Sequence, residues 1–122
     1  MNLYKIPALI LAGVLTLAAK CHVSLPRTSG QASFYGDAFV GKKTTNGEKY
    51  DPYDMTCASN LYPMNTKLRV YYPRKKKEVI VRVNDRGPNV PSRSIDLSYA
   101  AAYTLGLIPD GVGYVLITPI CQ

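Results

Sequence analysis

The chain has 122 residues, a formal charge of +7, three cysteines and one histidine. This length suffices for one domain and not for two. One histidine with three scattered cysteines makes no convincing metal site, and the chain has no glycine-rich phosphate loop, basic helix or base-stacking motif. We therefore expect no metal, no cofactor and no nucleic-acid partner, and we expect a monomer.

Residues 1–20 are predicted to be a signal peptide. The apolar run at residues 6–19 is too short to span a bilayer comfortably and is typical of a secretory signal, although an uncleaved anchor helix is the alternative. Cys21 follows directly and resembles a bacterial lipoprotein attachment site, except that Lys20 stands where a small residue is expected. Either Cys21 carries a lipid that contacts the membrane, or ordinary cleavage occurs nearby, for example after Ala19.

Export is expected in both cases, to the periplasm or cell envelope as an outer-membrane lipoprotein, or otherwise as a secreted protein. Without Lys5 and Lys20 the chain still carries about +5, which favours an anionic surface or polymer as partner. Residues 21–29 lack periodicity and are predicted to be a tether. If Cys21 is lipidated, Cys57 and Cys121 form an even set, which suggests a disulfide; two buried free thiols are the alternative.

Alternating patterns predict four strands, at residues 30–36, 67–72, 78–84 and 114–118. A basic hairpin tip at residues 73–77 joins the second strand to the third. One helix is predicted at residues 96–106, with Asp96 or Ser98 as its cap and Gly106 as its end. The tight hairpin, with the helix placed before the last strand, predicts a mainly β domain at residues 30–122, closed into a barrel.

Asp85 is the leading catalytic candidate. It stands where a strong strand pattern meets the Gly87-Pro88 turn, and a carboxylate at such a place is held rigidly beside solvent. Burial or a neighbouring carboxylate such as Glu48 would raise its pKa, whereas pairing with Arg86 would lower it. The alternative is that Asp85 and Arg86 form a structural ion pair.

Four motifs occur in order along the domain: ASFYG at residues 32–36, TTNGE at 44–48, NDRGP at 84–88 and IDLS at 95–98. With LYPM at residues 61–64 and GVG at 111–113, they resemble the rare-lipoprotein-A (RlpA) family from Gly30 to about Thr118. The resemblance implies a six-stranded double-psi β-barrel with one short helix, shared with expansins and certain glycosidases. Many members carry a further glycan-binding domain, and none is expected after Gln122.

The resemblance also implies the site. Asp85 matches the family's catalytic aspartate and Glu48 its glutamate, while Ser59 stands where the family has a histidine and is expected to replace it as a hydrogen-bonding group. Asp96 is alternatively a helix cap or an ion-pair partner of Arg86 or Arg93. The residues expected to bind substrate are Tyr35, Asn46, Ser59, Arg86 and Asp96.

Three functions follow from the resemblance. The first is an endolytic peptidoglycan lytic transglycosylase that cleaves the MurNAc–GlcNAc bond of peptide-poor strands and leaves 1,6-anhydro ends, with Asp85 as acid and then base and Glu48 in support. The second is an expansin-like module that binds cell-wall glycans without cleaving them, which Ser59 favours. The third is a hydrolytic glycosidase, which would leave reducing ends.

Overall fold

The computed structural model describes residues 25–120, which form a closed barrel of six strands with one α-helix. The predicted fold class is confirmed. A short 3₁₀ turn at Asp37–Phe39 follows the first strand. The strands are β1 (Thr28–Phe34), β2 (Thr56–Ala58), β3 (Lys67–Tyr72), β4 (Lys77–Asp85), β5 (Arg93–Leu97) and β6 (Gly113–Ile120), and the helix is α1 (Tyr99–Leu105).

The strands follow the order β1-β5-β2-β4-β3-β6 around the barrel. The pairs β1/β5 and β2/β4 are parallel, and the other neighbours are antiparallel. A parallel pair needs a crossover connection, so the chain passes across the barrel between these strands. The crossovers place the ends of β2, β4 and β5 side by side, although these strands are distant in sequence.

The barrel core follows the alternating pattern of the β3–β4 hairpin. Leu68 and Val70 of β3 pair with Val81 and Val79 of β4, and all four side chains are buried. Because side chains of one strand face alternately inward and outward, the intervening residues lie on the outer surface. The predicted hairpin is confirmed, with its strands ending at Tyr72 and starting at Lys77.

Two strands, β2 and β5, were not predicted from the pattern. All three residues of β2 are buried, so it shows no alternation. The predicted helix begins at residue 96, whereas residues 95–97 belong to β5. The prediction of Asp96 as the helix cap is wrong, because Asp96 lies within this strand. Ser98 caps α1 by accepting a hydrogen bond from the Ala101 N–H, and Gly106, with φ of +73°, ends it as predicted.

The barrel begins before the predicted boundary at residue 30. The Tyr62 hydroxyl donates to the Pro26 carbonyl at 2.6 Å and lies 2.9 Å from the Thr28 hydroxyl, while Leu25 packs against the core. Residues 28–29 therefore belong to β1, and the predicted tether is too long at this end. The predicted signal peptide and Cys21 lie outside the described residues.

Cys57 is the one cysteine that the structure describes, and its side chain is fully buried in β2. Burial raises the pKa of its thiol well above the ordinary value. Its predicted disulfide partner, Cys121, lies outside residues 25–120, so that disulfide stays a prediction. In the same range, no helix has the length and apolar character needed to cross a membrane.

Candidate active site

A surface pocket of about 470 Å³ opens where β2, β4 and β5 end, and it contains two carboxylates, Asp85 and Asp96. Ala58 of β2 pairs with Asp85 on one side and with Asp96 on the other. The two aspartates are thus two strand spacings apart, about 10 Å between their Cα atoms. Since Ala58 carries only a methyl group, the space between the two carboxylates stays open.

Asp85 accepts four hydrogen bonds. Its Oδ1 accepts from the Thr45 N–H at 2.9 Å, the Thr45 hydroxyl at 2.6 Å and the Arg86 N–H at 2.9 Å, and its Oδ2 accepts from the Tyr35 hydroxyl at 2.6 Å. Burial raises the pKa of Asp85, but the hydrogen bonds from Thr45, Tyr35 and Arg86 together outweigh it and hold the pKa below its ordinary value. Asp85 is therefore ionised at neutral pH.

The side chain of Arg86 binds backbone carbonyl groups. Its guanidinium donates from Nη1 to the carbonyl oxygens of Ser59 and Tyr62, at 2.8 and 2.6 Å. Among residues 25–120 it forms no ion pair with Asp85 or Asp96, so neither suggested pairing with Arg86 is found. Arg86 lines the pocket and braces the turn at residues 59–62.

Ser59 does not replace a histidine in the pocket. Its side chain is buried, and its hydroxyl oxygen accepts hydrogen bonds from the N–H groups of Leu61 and Tyr62 at 3.1 and 3.3 Å. Ser59 is not among the residues that line the pocket, and its role in substrate binding stays a prediction. The neighbouring Asn60, which the sequence analysis missed, binds the Gly87 N–H and the Pro88 carbonyl and so holds the turn after Asp85.

The loop before β2 places Thr45 within hydrogen-bond distance of Asp85. The side-chain carbonyl of Asn46 accepts from the Thr44 hydroxyl and the Glu48 N–H, at 2.8 and 3.0 Å, and Gly47 takes a φ of +92°, as the predicted turn requires. Asn46 was expected to bind substrate, but its carbonyl oxygen shapes this loop instead. Thr45 was not singled out, although it lies inside the TTNGE motif.

Glu48 forms a bidentate ion pair with Arg82, at 2.8 and 2.9 Å, and accepts a third hydrogen bond from Asn84 at 3.2 Å. Arg82 first and Asn84 next lower the pKa of Glu48 to about 2. The pKa of Asp85 is set by burial and by the hydrogen bonds from Thr45, Tyr35 and Arg86, and not by Glu48, contrary to one sequence-based expectation. It fastens the Thr45 loop to β4.

Replacing Glu48 with glutamine is expected to destabilise the domain by roughly 1 kcal/mol at neutral pH, a modest figure because the carboxylate is 42% exposed and screened by solvent. A lowered pKa means that ionised Glu48 stabilises the fold above its ordinary value of 4.5, and that this contribution is lost as the pH falls toward about 2. In urea unfolding, the difference between variant and unaltered protein should shrink to zero across this interval.

The matched control is Glu78→Gln, which removes the outer-surface pair of Glu78 with Arg69. We expect a smaller loss there, since that pair is more exposed. Equal losses in the two variants, or a Glu48→Gln deficit that persists at the acid end of the interval, would contradict the anchoring role of Glu48.

Asp96 is the second carboxylate of the pocket. It is more deeply placed than Asp85, and burial raises its pKa, against the opposing influence of the Ser33 hydroxyl, which donates to Oδ1 at 3.1 Å, and of Arg93. The negative charge of Asp85 raises the pKa of Asp96 further. The pocket thus combines one carboxyl group whose pKa is lowered with another whose pKa is raised, a division typical of acid–base pairs in enzymes.

Tyr35 is fixed by aromatic contacts. Its ring stacks on Tyr50 with centroids 4.5 Å apart and meets Phe39 edge-on at 5.7 Å. Burial and the bonded Asp85 raise the pKa of Tyr35, so its hydroxyl remains a hydrogen-bond donor. Tyr35 was expected to bind substrate; it lines the pocket and also positions Asp85.

Three further cations, Lys42, Lys43 and Arg93, line the pocket. None of them forms an ion pair with another residue in the range 25–120. The pocket wall therefore offers positive charge to an anionic ligand. Across the same residues no three His, Cys, Asp or Glu side chains are grouped in a way that could hold a metal ion.

The sequence and the fold of this chain are similar to those of known proteins. A family model described as lytic transglycolase matches residues 27–117. The endolytic peptidoglycan transglycosylase RlpA of Vibrio cholerae is 48% identical over 92 residues, which are 75% of this chain and 35% of the relative. The protein of the same name from Pseudomonas aeruginosa is 48% identical over 94 residues, 77% of this chain and 28% of the relative. The chain thus spans about a third or less of the curated relatives it matches.

The fold also matches a solved structure. The ligand-free expansin of Clavibacter michiganensis superposes with a TM-score of 0.64 at 24% identity, over 80% of this chain and 52% of the expansin. This likeness confirms the double-psi barrel, and the sequence relatives confirm the resemblance to RlpA proteins.

Proposed function

This chain belongs to the lytic transglycolase family, and we propose that it cleaves the glycan strands of peptidoglycan by a lytic mechanism. The observation that carries the proposal is the pocket itself, in which Asp85 and Asp96 stand on either side of Ala58 with pKa values displaced in opposite directions. The names of its relatives supply the substrate class. We place the activity in the cell envelope.

The proposed reaction needs two proton transfers and no water nucleophile. Asp96, whose pKa is raised, is the proposed acid and donates a proton to the glycosidic oxygen as the bond from C1 of MurNAc to that oxygen breaks. Asp85, which is ionised, takes the proton of the MurNAc 6-hydroxyl as O6 forms a bond to C1. The products are a 1,6-anhydro end and a free GlcNAc hydroxyl, and solvent then returns both carboxyl groups to their starting states.

The division of roles refines the simpler scheme in which Asp85 is acid and then base. A general acid must be protonated near the working pH, and the hydrogen bonds from Thr45, Tyr35 and Arg86 favour the ionised form of Asp85. A separation of about 10 Å between the Cα atoms of the two aspartates, as two strand spacings give, leaves room for a sugar and its leaving group between the carboxylates.

The substrate is proposed to be peptide-poor glycan. When stem peptides are absent, the lactyl group of each muramic acid ends in a free carboxylate. Lys42, Lys43 and Arg93 border the two aspartates and suit such an anion. The proposal includes export by residues 1–20, with Cys21 as the lipid anchor or cleavage nearby.

A second candidate function is a binding module that holds glycans without cleaving them. The burial of Ser59 favours it, because the Ser59 hydroxyl accepts hydrogen bonds within its own turn and carries no positive charge in place of the family's histidine.

The experiment that separates the two is a digest of amidase-treated peptidoglycan by the purified protein, with products identified by mass spectrometry. Anhydro-ended oligosaccharides are expected. Tight binding without any product would reject the enzyme and support the binding module, while products with reducing ends would assign hydrolysis.

A further inference from the structure

A second hollow, of about 570 Å³, lies on the barrel wall beside the β3–β4 hairpin. Its surface carries Gln31 of β1, Tyr114 and Leu116 of β6, and Arg74 of the hairpin tip. Tyr114 and Leu116 are 44% and 41% exposed and lie on neighbouring outward positions of β6, so they form one exposed apolar surface.

One row of outward side chains joins this hollow to the catalytic pocket. Gln31 pairs with Arg93 on one side and with Tyr114 on the other, and all three side chains are exposed. Directly paired residues of adjacent strands point to the same face of a sheet. Because Arg93 also lines the pocket of Asp85, the row leads from that pocket to Tyr114 over two strand spacings, about 10 Å.

The chemistry of the row suits a sugar chain that carries carboxylates. An exposed tyrosine ring offers an apolar face to a sugar ring and a hydroxyl to its substituents, and the Gln31 amide can both donate and accept hydrogen bonds. Arginines stand at both ends. Arg74 is held only loosely, since it lies 3.8 Å from Asp110 with its side chain 70% exposed. Asp110 is also bound to Lys75 and to the Tyr72 hydroxyl, so its charge is already shared.

We propose that the glycan groove continues from the catalytic pocket along Arg93, Gln31 and Tyr114 to Arg74, and that Tyr114 and Arg74 bind sugars remote from the cleaved bond. The occupant is the same anionic glycan strand, because the row is continuous with the pocket and is flanked by positive charge at both ends. This inference rests on the proposed function for the identity of the strand. A groove of this length makes the protein bind long strands more tightly than short ones.

The test compares the affinity of long amidase-treated strands with that of a tetrasaccharide of the same sugars, in an Asp85→Asn background that prevents turnover. The unaltered surface is expected to bind long strands more tightly, and Tyr114→Ala to reduce that advantage roughly tenfold, as the loss of one aromatic contact predicts. Tyr103→Ala, which removes an exposed tyrosine from α1 (70% exposed, against 44% for Tyr114), is the control and should leave the preference for long strands unchanged.

Charge is tested separately. Arg74→Gln should weaken binding of long peptidoglycan strands and have no effect on chitin oligosaccharides of equal length, which lack the lactyl carboxylates. In the amide NMR spectrum, long strands should shift the signals of Gln31 and Tyr114, and the tetrasaccharide should not. This measurement uses the unaltered surface and so stands even if Tyr114→Ala fails to fold.

The outcomes distinguish this inference from the proposed function. If the protein cleaves glycan, and both Tyr114→Ala and Arg74→Gln keep the full preference for long strands over the tetrasaccharide, only the extended groove is overturned. Binding without cleavage, with the advantage lost in Tyr114→Ala, supports the groove and rejects the lytic activity. No length advantage in the unaltered surface, or binding by neither substrate, overturns the groove.

Discussion

Replacing Asp85 with asparagine is expected to reduce the rate of anhydro-product formation by roughly 10²–10⁴-fold, the range associated with loss of one proton-transfer group. The amide has nearly the same shape and can still accept hydrogen bonds from Thr45 through its carbonyl oxygen. It cannot take a proton from the sugar hydroxyl. The measurement is initial rate on stripped glycan strands, with mass spectrometry to count anhydro ends.

Folding must be shown to be intact for this result to concern catalysis. We expect Asp85→Asn to lower the thermal midpoint only modestly: the ionised carboxylate, with its lowered pKa, stabilises the fold at neutral pH, but the amide oxygen keeps the contacts with Thr45. Asp54→Asn changes an exposed aspartate outside the pocket and should leave the rate unaltered. If Asp85→Asn kept a tenth or more of the rate, Asp85 would not be the catalytic base.

Replacing Asp96 with asparagine is expected to lower the rate by roughly 10²-fold or more, because asparagine cannot donate a proton. The pH profile gives the sharper reading. Activity requires Asp85 to be ionised and Asp96 to be protonated, so the rate of the unaltered protein should have a bell-shaped dependence on pH. Its acid limb follows the lowered pKa of Asp85, and its alkaline limb follows the raised pKa of Asp96. In Asp96→Asn the alkaline limb should disappear while the acid limb stays.

Stability provides an independent check on Asp96. A carboxyl group whose pKa is raised by burial destabilises the fold once it ionises, so the cost grows as the pH rises from its ordinary pKa through the raised one. Asp96→Asn should therefore be at least as stable as the unaltered protein at neutral pH. A variant with unchanged rate and a retained alkaline limb would show that Asp85 performs both proton transfers.

Part of this arrangement could be predicted from local pattern. The β3–β4 hairpin alternates in a way that is visible within a few residues, and Gly106 ends α1 because a left-handed position favours glycine. Asp85 stood out for the same reason, as a carboxylate between a strong strand and a Gly-Pro turn. Alternation alone predicted four strands, and the order of the family motifs along the chain predicted the complete six-stranded double-psi barrel.

The remaining features depend on contacts between distant parts of the chain. β2 has no readable period, since all three of its residues are buried. Residues 95–97 of β5 run almost directly into α1, and only the pairing of β5 with β1 and β2 defines them as part of a strand. The sequence did not show whether the pKa of Asp85 is raised or lowered, because its hydrogen-bond donors Tyr35 and Thr45 lie 50 and 40 residues away along the chain.

Local properties of the chain predict a basic, mainly β domain with a catalytic candidate at Asp85, because hydrophobic alternation, turn residues and charge can be read within a few residues. Only the folded barrel shows that Glu48 pairs with Arg82 and that Asp96 lies across Ala58 from Asp85. These pKa values and hydrogen-bond partners depend on which side chains the barrel crossovers bring together, and no short stretch of the chain encodes that proximity.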